Sequence, residues 1–396
     1  MGQGISTVKK SLNFAMIGYG FMAKAHSHAL RSLGAFYPDL PSVEMTTICG
    51  RNAEALEHGR KIFGWKTAET DWRKILDRDD IDVIDIVTPG NFHAEIAIAA
   101  LKAGKHVICE KPLANSVAEA EAMVEAAQEA ESRGIFSMVA FNYRCVPALA
   151  LAQKLIQADK VGRIYHVKAN YLQDWIVDPE FPLVWRLDES KAGSGSLGDI
   201  GSHIIDLAHF LTGAKIINVS GRMKTFIKER PLPGKYTGLN ASSNSQERGL
   251  VTVDDATVFT AECDDGSLAN FEATRFATGQ KNGMSIEIYG SAGSLKYNFE
   301  NMNELFFYEN SSNNLDGFKR ILVTEGTHPY MSSWWPPGHI IGYEHSFIHE
   351  ISNFVRAIQN GTSPSPTFSD GLYVQTVMAA VEESASQSAR IVDVKK

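Results

Sequence analysis

The sequence has few cysteines, and their positions match neither a metal site nor a disulfide framework. Four cysteines are spread over 396 residues, at Cys49, Cys109, Cys145 and Cys263, and no C-x-x-C pair occurs. Cysteines spaced in this way indicate free thiols, so we expect a reducing, cytoplasmic environment. The sequence also lacks an uninterrupted run of about 18 apolar residues and the apolar stretch of a secretory signal. We therefore predict no membrane span and no export.

An excess of positive charge is absent as well. The chain has 38 Lys and Arg residues against 46 Asp and Glu residues, a formal net charge of −8. Nucleic-acid binding needs a basic surface, so we predict no nucleic-acid partner. The segment Met1–Ser6 matches the short pattern for myristoylation at Gly2. Because so short a pattern recurs by chance, we interpret it as a leader before the first strand.

The first part of the chain alternates short apolar runs with helical segments. The predicted strands are Asn13–Gly18, Val43–Cys49, Val83–Thr88, His106–Glu110 and Ser137–Asn142, and the predicted helices are Phe21–Leu33, Ala53–Phe63, Glu95–Ala103 and Val117–Glu131. Strands and helices that alternate at this interval indicate βαβ crossovers. We therefore predict an α/β domain with a doubly wound parallel sheet of the Rossmann type over residues 1–145.

After Pro147 the pattern changes to longer strands. One helix, Ala148–Gln157, precedes them, and Gly234 to Leu250 has the composition of a long loop. The predicted strands are Ile164–Trp175, Ile217–Ile227, Thr257–Cys263, Leu268–Thr274, Ser285–Tyr289 and Ser294–Asn298. We predict an α+β domain over residues 146–396 with an open, mostly antiparallel sheet. Its C-terminal helices, Tyr343–Gln359 and Ser369–Ser388, are expected to pack back on either domain. An apolar sheet face left uncovered by helices would make the chain a homodimer or homotetramer.

A glycine-rich motif follows the first predicted strand. The run Gly18-Tyr19-Gly20-Phe21-Met22-Ala23 opens the first helix, which is the context that the dinucleotide-binding fingerprint requires. The first glycine permits a tight turn, the second lets the backbone approach a pyrophosphate, and the alanine allows close packing of helix and strand. Phe21 and Met22 begin the helix, whose free N–H groups would face the phosphates. The motif predicts binding of NAD or NADP.

The residues after the second strand bear on the choice between these cofactors. An acidic residue at this place binds the ribose 2′-hydroxyl of NAD in many such folds, but the strand here ends Ile48-Cys49-Gly50-Arg51-Asn52. Arg51 is able to hold the 2′-phosphate of NADP or to stack on adenine. The alternative is an ordinary solvated arginine. The pattern favours NADP and leaves NAD open.

A Glu-Lys-Pro motif, Glu110-Lys111-Pro112, lies just beyond the end of a predicted strand. With the segment Gly195–His203 it resembles the glucose-fructose oxidoreductase, inositol dehydrogenase and rhizopine-catabolism (Gfo/Idh/MocA) family over essentially the whole chain. The resemblance implies an NAD(P)-dependent oxidoreductase that acts on CH–OH groups of a sugar or cyclitol. It further implies a catalytic set of Lys111, Asp199 and His203, and cofactor contacts from Thr88, Pro89, His93, Glu110 and Lys111.

Elementary chemistry supports the same three side chains. Oxidation of an alcohol requires removal of the hydroxyl proton as hydride leaves the carbon, and His203 is a suitable general base. Asp199 lies four residues earlier, so a helix that begins near it would carry both on one face. Lys111 would stabilise negative charge on the oxygen, or accept the proton itself if its pKa is lowered. Each residue singly also has a structural alternative: a helix N-cap, a core histidine or a surface lysine.

A metal site is a competing interpretation of the same helix, because His203-x-x-Asp206-x-x-His209 contains three possible ligands. Residues spaced three apart drift around a helix that turns by about 100° per residue, so they do not converge on one ion. His26 and His28 point apart on the first helix for the same reason. We therefore predict no catalytic metal.

Three further segments, Phe141–Arg144, Tyr171–Trp175 and Pro182–Arg186, resemble the levoglucosan dehydrogenase branch of the family, whose members oxidise the C3 hydroxyl of pyranose rings. That resemblance implies a sugar-binding wall, completed by Asp199 and His203. Its members are Tyr143, Gln173, Trp175, Trp185 and Arg186. Aromatic faces cover the apolar side of a pyranose, while amide and guanidinium groups bind its hydroxyls. A place in the core is equally expected for Trp185.

A second aromatic patch, Ser333–His339, lies in a proline-rich segment. It is expected to close over a substrate pocket of the same or a neighbouring subunit, or to form a subunit contact without a role in substrate binding.

The sequence thus predicts an NAD(P)-dependent dehydrogenase that oxidises a secondary hydroxyl, at C3, of a pyranose sugar, anhydrosugar or glycoside. One alternative keeps NAD(P) tightly bound and recycles it, between two sugars or during cleavage of a glycoside. Another, from a different class, is an NAD(P)-sensing regulatory protein. A pure binding protein has no chemical use for the set of Lys111, Asp199 and His203, which favours the enzyme.

Overall fold

The computed structural model describes residues 10–234, 236–237, 240–243, 245–310 and 317–395. The predicted myristoylation pattern at Met1–Ser6 lies outside these residues. Over the described ranges, no helix is long and apolar enough to cross a membrane.

Six parallel strands form the first sheet, in the order β3-β2-β1-β4-β5-β6. The strands are β1 (Ser11–Ile17), β2 (Ser42–Cys49), β3 (Thr67–Glu69), β4 (Val83–Ile86), β5 (His106–Glu110) and β6 (Ser137–Ala140), and the helices are α1 (Phe21–Phe36), α2 (Ala53–Phe63), α3 (Trp72–Leu76), α4 (His93–Lys102) and α5 (Val117–Glu131). The predicted doubly wound parallel sheet is confirmed. Strand order reverses between β1 and β4, which is where ligands bind in such sheets.

The edge of this sheet differs from the prediction. The edge strand β3 and the short helix α3 were not predicted, because β3 has only three residues and none of them is buried. Such a strand carries no apolar alternation from which it could be recognised.

The second sheet has nine strands, in the order β18-β17-β16-β15-β7-β14-β13-β8-β19. Its parts and the accompanying elements are α6 (Pro147–Gln157), β7 (Ile164–Leu172), α7 (Glu189–Ala192), α8 (Ser202–Thr212), β8 (Ile216–Lys224), β9 (Glu229–Pro231), β10 (Tyr236–Thr237), β11 (Asn240–Ala241), β12 (Arg248–Leu250), β13 (Ala256–Cys263), β14 (Leu268–Thr274), β15 (Gly283–Gly290), β16 (Gly293–Asn298), β17 (Glu304–Glu309), β18 (Lys319–Leu322), α9 (Glu344–Asn360), α10 (Phe368–Ser386) and β19 (Val392–Asp393). Only β7 and β14 pair in parallel, so the sheet is mostly antiparallel, as predicted.

Some strands of the second part were missed. β18 and β19 are the edge strands of the sheet and β17 lies next to β18, and short or partly polar strands of this kind leave a weak pattern. The predicted loop between Gly234 and Leu250 includes the described strand pair β10 and β11, and β12, which pairs with β9.

The two C-terminal helices pack on different parts of the fold. α9 lies against α1, and its Ile351 and Phe354 share a core with Phe14 and Met16 of β1. α10 packs against β8 and α5. Both helices thus return to earlier parts of the chain, α9 to α1 and α10 to both β8 and α5.

The face of the second sheet that points away from the helices is more polar than expected. Lys168, Glu272 and Glu287 alternate along their strands with the buried residues of the core face. The exposed apolar side chains on this side include Val258 and Leu268, 47% and 60% exposed. The expectation of a wide apolar face was wrong, because polar residues occupy most outward positions of the central strands.

Candidate active site

The fingerprint glycines form an open cradle at the carboxyl end of β1. Gly18 has φ +122°, and a Cβ there would lie 2.7 Å from the Val87 carbonyl oxygen, so only glycine fits. A Cβ on Gly20 would meet no atom within 4 Å, so the space in front of it is free for a ligand. Gly20 is the N-cap of α1 and makes no side-chain cap, which leaves the first N–H groups of the helix available for phosphate. Phe21 and Met22, in the first turn, are exposed and half-buried.

The loop after β4 forms the neighbouring wall of this cradle. The hydroxyl oxygen of Thr88 is buried and has no partner among the described residues, and Pro89 begins a short 3₁₀ turn. The ring nitrogens of His93 each lie 3.0 Å from a carbonyl oxygen, one of Thr88 and one of Pro112. His93 therefore connects this loop to the Glu-Lys-Pro segment.

Glu110 and Arg51 are placed at different depths. Glu110 is buried, where its carboxylate accepts the Lys111 backbone N–H at 3.1 Å and lies 3.2 Å from His26 Nε2. Arg51 is exposed beyond β2, and its guanidinium stacks on Phe92 at 5.1 Å from the ring centroid. The open cradle, the uncapped helix and the unpartnered Thr88 hydroxyl fit a dinucleotide at this edge.

The Lys111 side chain meets Asp199 next to this edge. Lys111 Nζ donates a hydrogen bond to the Asp199 backbone oxygen at 2.5 Å and lies 3.4 Å from Oδ1. Arg186 Nε is 3.9 Å from the same Oδ1, and Arg275 Nη1 is 3.6 Å from Oδ2. Burial alone would raise the pKa of Asp199, but the three cations together hold it at about 2. Asp199 is therefore a carboxylate at neutral pH.

The backbone that carries Asp199 departs from the prediction. A single α-helix was expected to begin near Asp199, but Leu197–Gly201 forms a π-helical turn and α8 starts at Ser202. Asp254 fixes this turn: its carboxylate accepts the N–H of Gly195 at 2.7 Å and that of Leu197 at 3.0 Å. The Asp254 carboxylate thus satisfies backbone N–H groups at the start of the π turn that have no partner within the turn.

His203 follows in the first turn of α8 and is only 7% exposed. Its Nδ1 is buried without a partner among the described residues, and its ring lies 4.7 Å from the Tyr143 ring. Burial, and then the Lys111 cation, lower the pKa of His203 well below its usual 6.5. The imidazole is therefore neutral at neutral pH and able to accept a proton.

The predicted wall residues are linked by direct contacts. The Tyr143 hydroxyl lies 2.5 Å from that of Tyr171, which donates to Asn282 at 2.7 Å. Gln173 Nε2 donates to the same Asn282 oxygen at 3.0 Å, and the Trp175 indole N–H donates to Gln173 at 3.0 Å. The chain of contacts runs from beside His203 to the half-buried Trp175.

The remaining wall residues close the other side. Arg186 stacks on Trp185 at 4.4 Å, and Trp185 is half-buried; of the two places expected for it, the wall and the core, its exposure favours the wall. Arg275 lies under Trp175, 5.8 Å from its ring centroid, and also faces Asp199. The structure thus brings together every residue predicted for catalysis or substrate binding.

Three contributors were missed from the sequence: Asp254, Arg275 and Asn282. Each lies more than 50 positions from the side chains that it contacts in the site, so no local spacing connects them. A charged residue directly after an apolar strand, as Arg275 is after β14, was the one available signal.

The residues of the competing metal interpretation have other partners. Asp206 accepts two hydrogen bonds from Arg144, at 2.8 and 2.5 Å, and His209 Nδ1 lies 2.9 Å from the Ala214 carbonyl oxygen. His26 lies between Asp85 and Glu110. Across the described part of the chain, no group of three or more ligand side chains is placed to hold a metal ion.

The aromatic patch at Ser333–His339 lies away from this site. Trp334 packs on Phe36 at 4.2 Å between centroids and donates its indole N–H to His349 at 2.7 Å. Phe36 is the last residue of α1, about 22 Å along the helix from the cofactor end at a rise of 1.5 Å per residue. The expectation that the patch closes over the pocket of the same chain was wrong.

A cavity of about 360 Å³ lies behind the loop that leads to Asp199. Its lining includes Glu189, Ser194, Met223 and Glu382, and none of the predicted site residues contributes to it. We therefore assign it no part in the chemistry of the site.

A Rossmann sheet with a dinucleotide cradle, next to a cluster of a half-buried Lys, a half-buried Asp and a buried His, defines an NAD-binding oxidoreductase. Residues 12–138 match the oxidoreductase family with an NAD-binding Rossmann fold, and residues 149–296 match the GFO/IDH/MocA C-terminal domain. The chain belongs to the Gfo/Idh/MocA family.

Four matches show how close this membership is. The crystal structure of an oxidoreductase domain protein from Kribbella flavida is 56% identical, with a TM-score of 0.93 over 98% of this chain and 100% of that one. Levoglucosan dehydrogenase of Pseudarthrobacter phenanthrenivorans is 41% identical over 96% of this chain and 97% of its own length. A levoglucosan dehydrogenase structure in complex with NADH has a TM-score of 0.91 over 98% of this chain and all of that chain, also at 41% identity. Glucose-6-phosphate 3-dehydrogenase of Bacillus subtilis is 28% identical over 94% of this chain and 96% of its own length.

Proposed function

We propose that this chain is an NAD-dependent dehydrogenase that oxidises the C3 hydroxyl of a pyranose sugar, anhydrosugar or glycoside. The observation that carries the proposal is the convergence of Lys111, Asp199 and a neutral His203 beside the dinucleotide cradle. A sugar substrate is supported by the levoglucosan dehydrogenase relative, and the position of oxidation by the relative named as a 3-dehydrogenase.

The proton and the developing charge are handled by different side chains. A substrate hydroxyl placed between Lys111 and His203 gives its proton to the imidazole, which is neutral because burial lowers its pKa. The Lys111 cation donates a hydrogen bond to the same oxygen and stabilises the negative charge there. Asp199 holds the Lys111 ammonium at this place through its backbone and carboxylate oxygens. A dinucleotide held at Gly18 and Gly20 would supply the hydride acceptor for the substrate carbon.

The wall residues orient the ring. Trp175 offers an aromatic face to the apolar side of the sugar, and Gln173, Arg186 and the Tyr143 hydroxyl offer polar groups to its hydroxyls. Because Gln173 is held by both Trp175 and Asn282, its amide is fixed before substrate arrives. Such preorganisation places one ring carbon, and not its neighbours, in line for hydride transfer.

A pyranose deuterated at C3 tests the position of oxidation. The deuteride from C3 of glucose or levoglucosan is expected to appear in the reduced nicotinamide, as one extra mass unit in NADH by mass spectrometry. Glucose deuterated at C1 serves as the control and should give unlabelled NADH. Label transferred from C1 and not from C3 would contradict the proposed C3 specificity while leaving the dehydrogenase intact.

The NADH complex of the 41% identical relative supports NAD as the cofactor of this chain. Arg51, in contrast, favours binding of the 2′-phosphate of NADP. The proposal is that the chain uses NAD and that Arg51 admits NADP as well. Arg51→Ala is expected to lower kcat/KM for NADP about tenfold, since a charge-assisted hydrogen bond to phosphate contributes about 1.5 kcal/mol or more. The value for NAD should change less than about twofold.

Arg73→Ala is a matched control, because Arg73 also stacks on a surface ring, that of Trp72 at 4.4 Å, but lies at α3. Equal losses for NAD and NADP in Arg51→Ala would mean that Arg51 stacks on adenine and does not read the 2′-phosphate.

We further propose that the chain has two domains, over residues 1–145 and 146–396. We propose that it forms a homodimer or homotetramer through the exposed face of the nine-stranded sheet. Its proposed location is the cytoplasm, without nucleic-acid or membrane partners. The four cysteines are free thiols, which suits a reducing compartment. A solution mass equal to that of one chain would contradict the assembly.

A further inference from the structure

Arg275 is a buried cation that the proposed mechanism does not use. It follows β14 directly, its side chain is 0% exposed, and its Nε and Nη1 have no hydrogen-bond partner among the described residues. Unsatisfied donors on a buried charge are costly, so a local reason for this arginine is required.

The guanidinium contacts two parts of the site at once. Its Nη2 donates to the Asp254 backbone oxygen at 3.0 Å, while Nη1 lies 3.6 Å from Asp199 Oδ2. The other carboxylate oxygen, Oδ1, is the one that faces Lys111 and Arg186. Arg275 therefore lies on the opposite edge of the Asp199 carboxylate from Lys111, and its position sets the rotation of that carboxylate.

One backbone oxygen, that of Asp254, contacts both Arg275 and the start of the π turn. The Asp254 backbone oxygen accepts the Ser196 N–H at 3.0 Å as well as the Arg275 guanidinium. Gly195 makes this approach possible, because a Cβ there would lie 1.8 Å from that oxygen and 2.8 Å from Arg275 Nη2. Movement of Arg275 would therefore move both the carboxylate and the backbone that carries it.

We infer that Arg275 is a positioning residue that holds the Asp199 carboxylate so that its Oδ1 faces Lys111. The inference rests on the proposed function, in which Asp199 places the Lys111 ammonium at the substrate hydroxyl. Arg275 is buried beneath Trp175 and acts through Asp199, without contact to the reacting atoms.

A double-mutant cycle with Arg275→Met and Asp199→Asn tests this inference. Arg275→Met is expected to lower kcat about 10²-fold, the usual effect of a misplacement of about 1 Å, while the Kd for NAD changes less than about twofold. In the Asp199→Asn background the same change should lower kcat by less than about threefold, because the carboxylate through which Arg275 acts is already gone. The kcat of Arg275→Lys should lie between those of the wild type and Arg275→Met, since one ammonium cannot reach both Asp254 and Asp199.

Arg230→Met is the matched control for loss of a buried arginine. Arg230 is also 0% exposed, but its guanidinium donates to the backbone oxygens of Ile176, Asp178 and Phe181. Its effect on kcat should be the same in both backgrounds. An equal kcat loss from Arg275→Met in both backgrounds, or no loss in the wild-type background, would overturn the inference.

A crystal structure of Arg275→Met, or of Arg275→Lys if the first variant does not fold, separates this inference from the proposed function, because it needs no substrate. The Lys111 Nζ to Asp199 Oδ1 distance, 3.4 Å in the wild type, is expected to exceed hydrogen-bonding range. An unchanged Asp199 carboxylate would overturn the inference whatever the substrate is.

Discussion

Replacement of Lys111 by alanine is expected to lower kcat for sugar oxidation about 10³-fold, the cost of removing a donor to a developing oxyanion. Lys111 Nζ is held in the site by the backbone and carboxylate oxygens of Asp199, and alanine removes this donor. The Kd for NAD should change only a few-fold, because the dinucleotide cradle lies at Gly18 and Gly20. Initial rates of NADH formation and fluorescence titration with NAD measure the two effects.

Lys102→Ala is the control for the charge, because Lys102 is an exposed lysine at the end of α4. Its kcat should equal that of the wild type. If Lys111→Ala keeps more than about a tenth of the wild-type kcat, Lys111 takes no part in the chemistry, because loss of even a single donor to an oxyanion lowers kcat by more than that.

Replacement of His203 by asparagine is expected to lower kcat about 10²- to 10⁴-fold, the usual contribution of a general base. The wild-type enzyme should also lose kcat/KM only below pH 6.5. The neutral imidazole is the competent form, and burial with the nearby Lys111 cation lowers its pKa well below 6.5. Activity therefore persists as the pH falls through 6.5 and is lost only when the pH reaches the lowered pKa.

The pH profile separates His203 from a purely structural histidine. His209→Asn, on the same helix, should keep the wild-type profile, because the partners of His209 are the Ala214 carbonyl oxygen and the Tyr373 ring, neither of which belongs to the site. In His203→Asn the acid limb should disappear from the residual activity. A limb that persists unchanged in His203→Asn would assign the proton acceptor to another group and return that role to Lys111.

Much of this site could be read from local sequence. The glycine fingerprint and the Glu-Lys-Pro segment follow buried strands, so their place at the carboxyl edge of a parallel sheet follows from fold class alone. The spacing of Asp199 and His203 predicted a shared face, even though the turn at Leu197–Gly201 is π-helical. Local pattern and tertiary structure agree at these positions.

What escaped prediction depends on long-range packing. Asp254, just before β13, and Arg275, just after β14, support Asp199 from more than 50 residues further along the chain, and nothing in their own neighbourhood specifies that contact. The uncovered face of the second sheet was predicted to be apolar. The alternation of side chains along the strands defines two faces of a sheet, but it does not show which of them the helices cover. The composition of Ser333–His339 left a pocket role and a subunit contact equally open for Trp334, and the structure shows Phe36 and His349 holding it against α1.

The most direct test of net sugar oxidation is the stoichiometry of NADH formed in solution against sugar consumed, with levoglucosan, glucose, glucosides and inositols as the panel. We predict one NADH released for each pyranose oxidised, at a rate that Lys111→Ala abolishes. Sugar conversion without accumulation of NADH, or tight NAD binding without turnover of any compound, would contradict a dehydrogenase and point instead to a recycled cofactor or a regulatory binding protein.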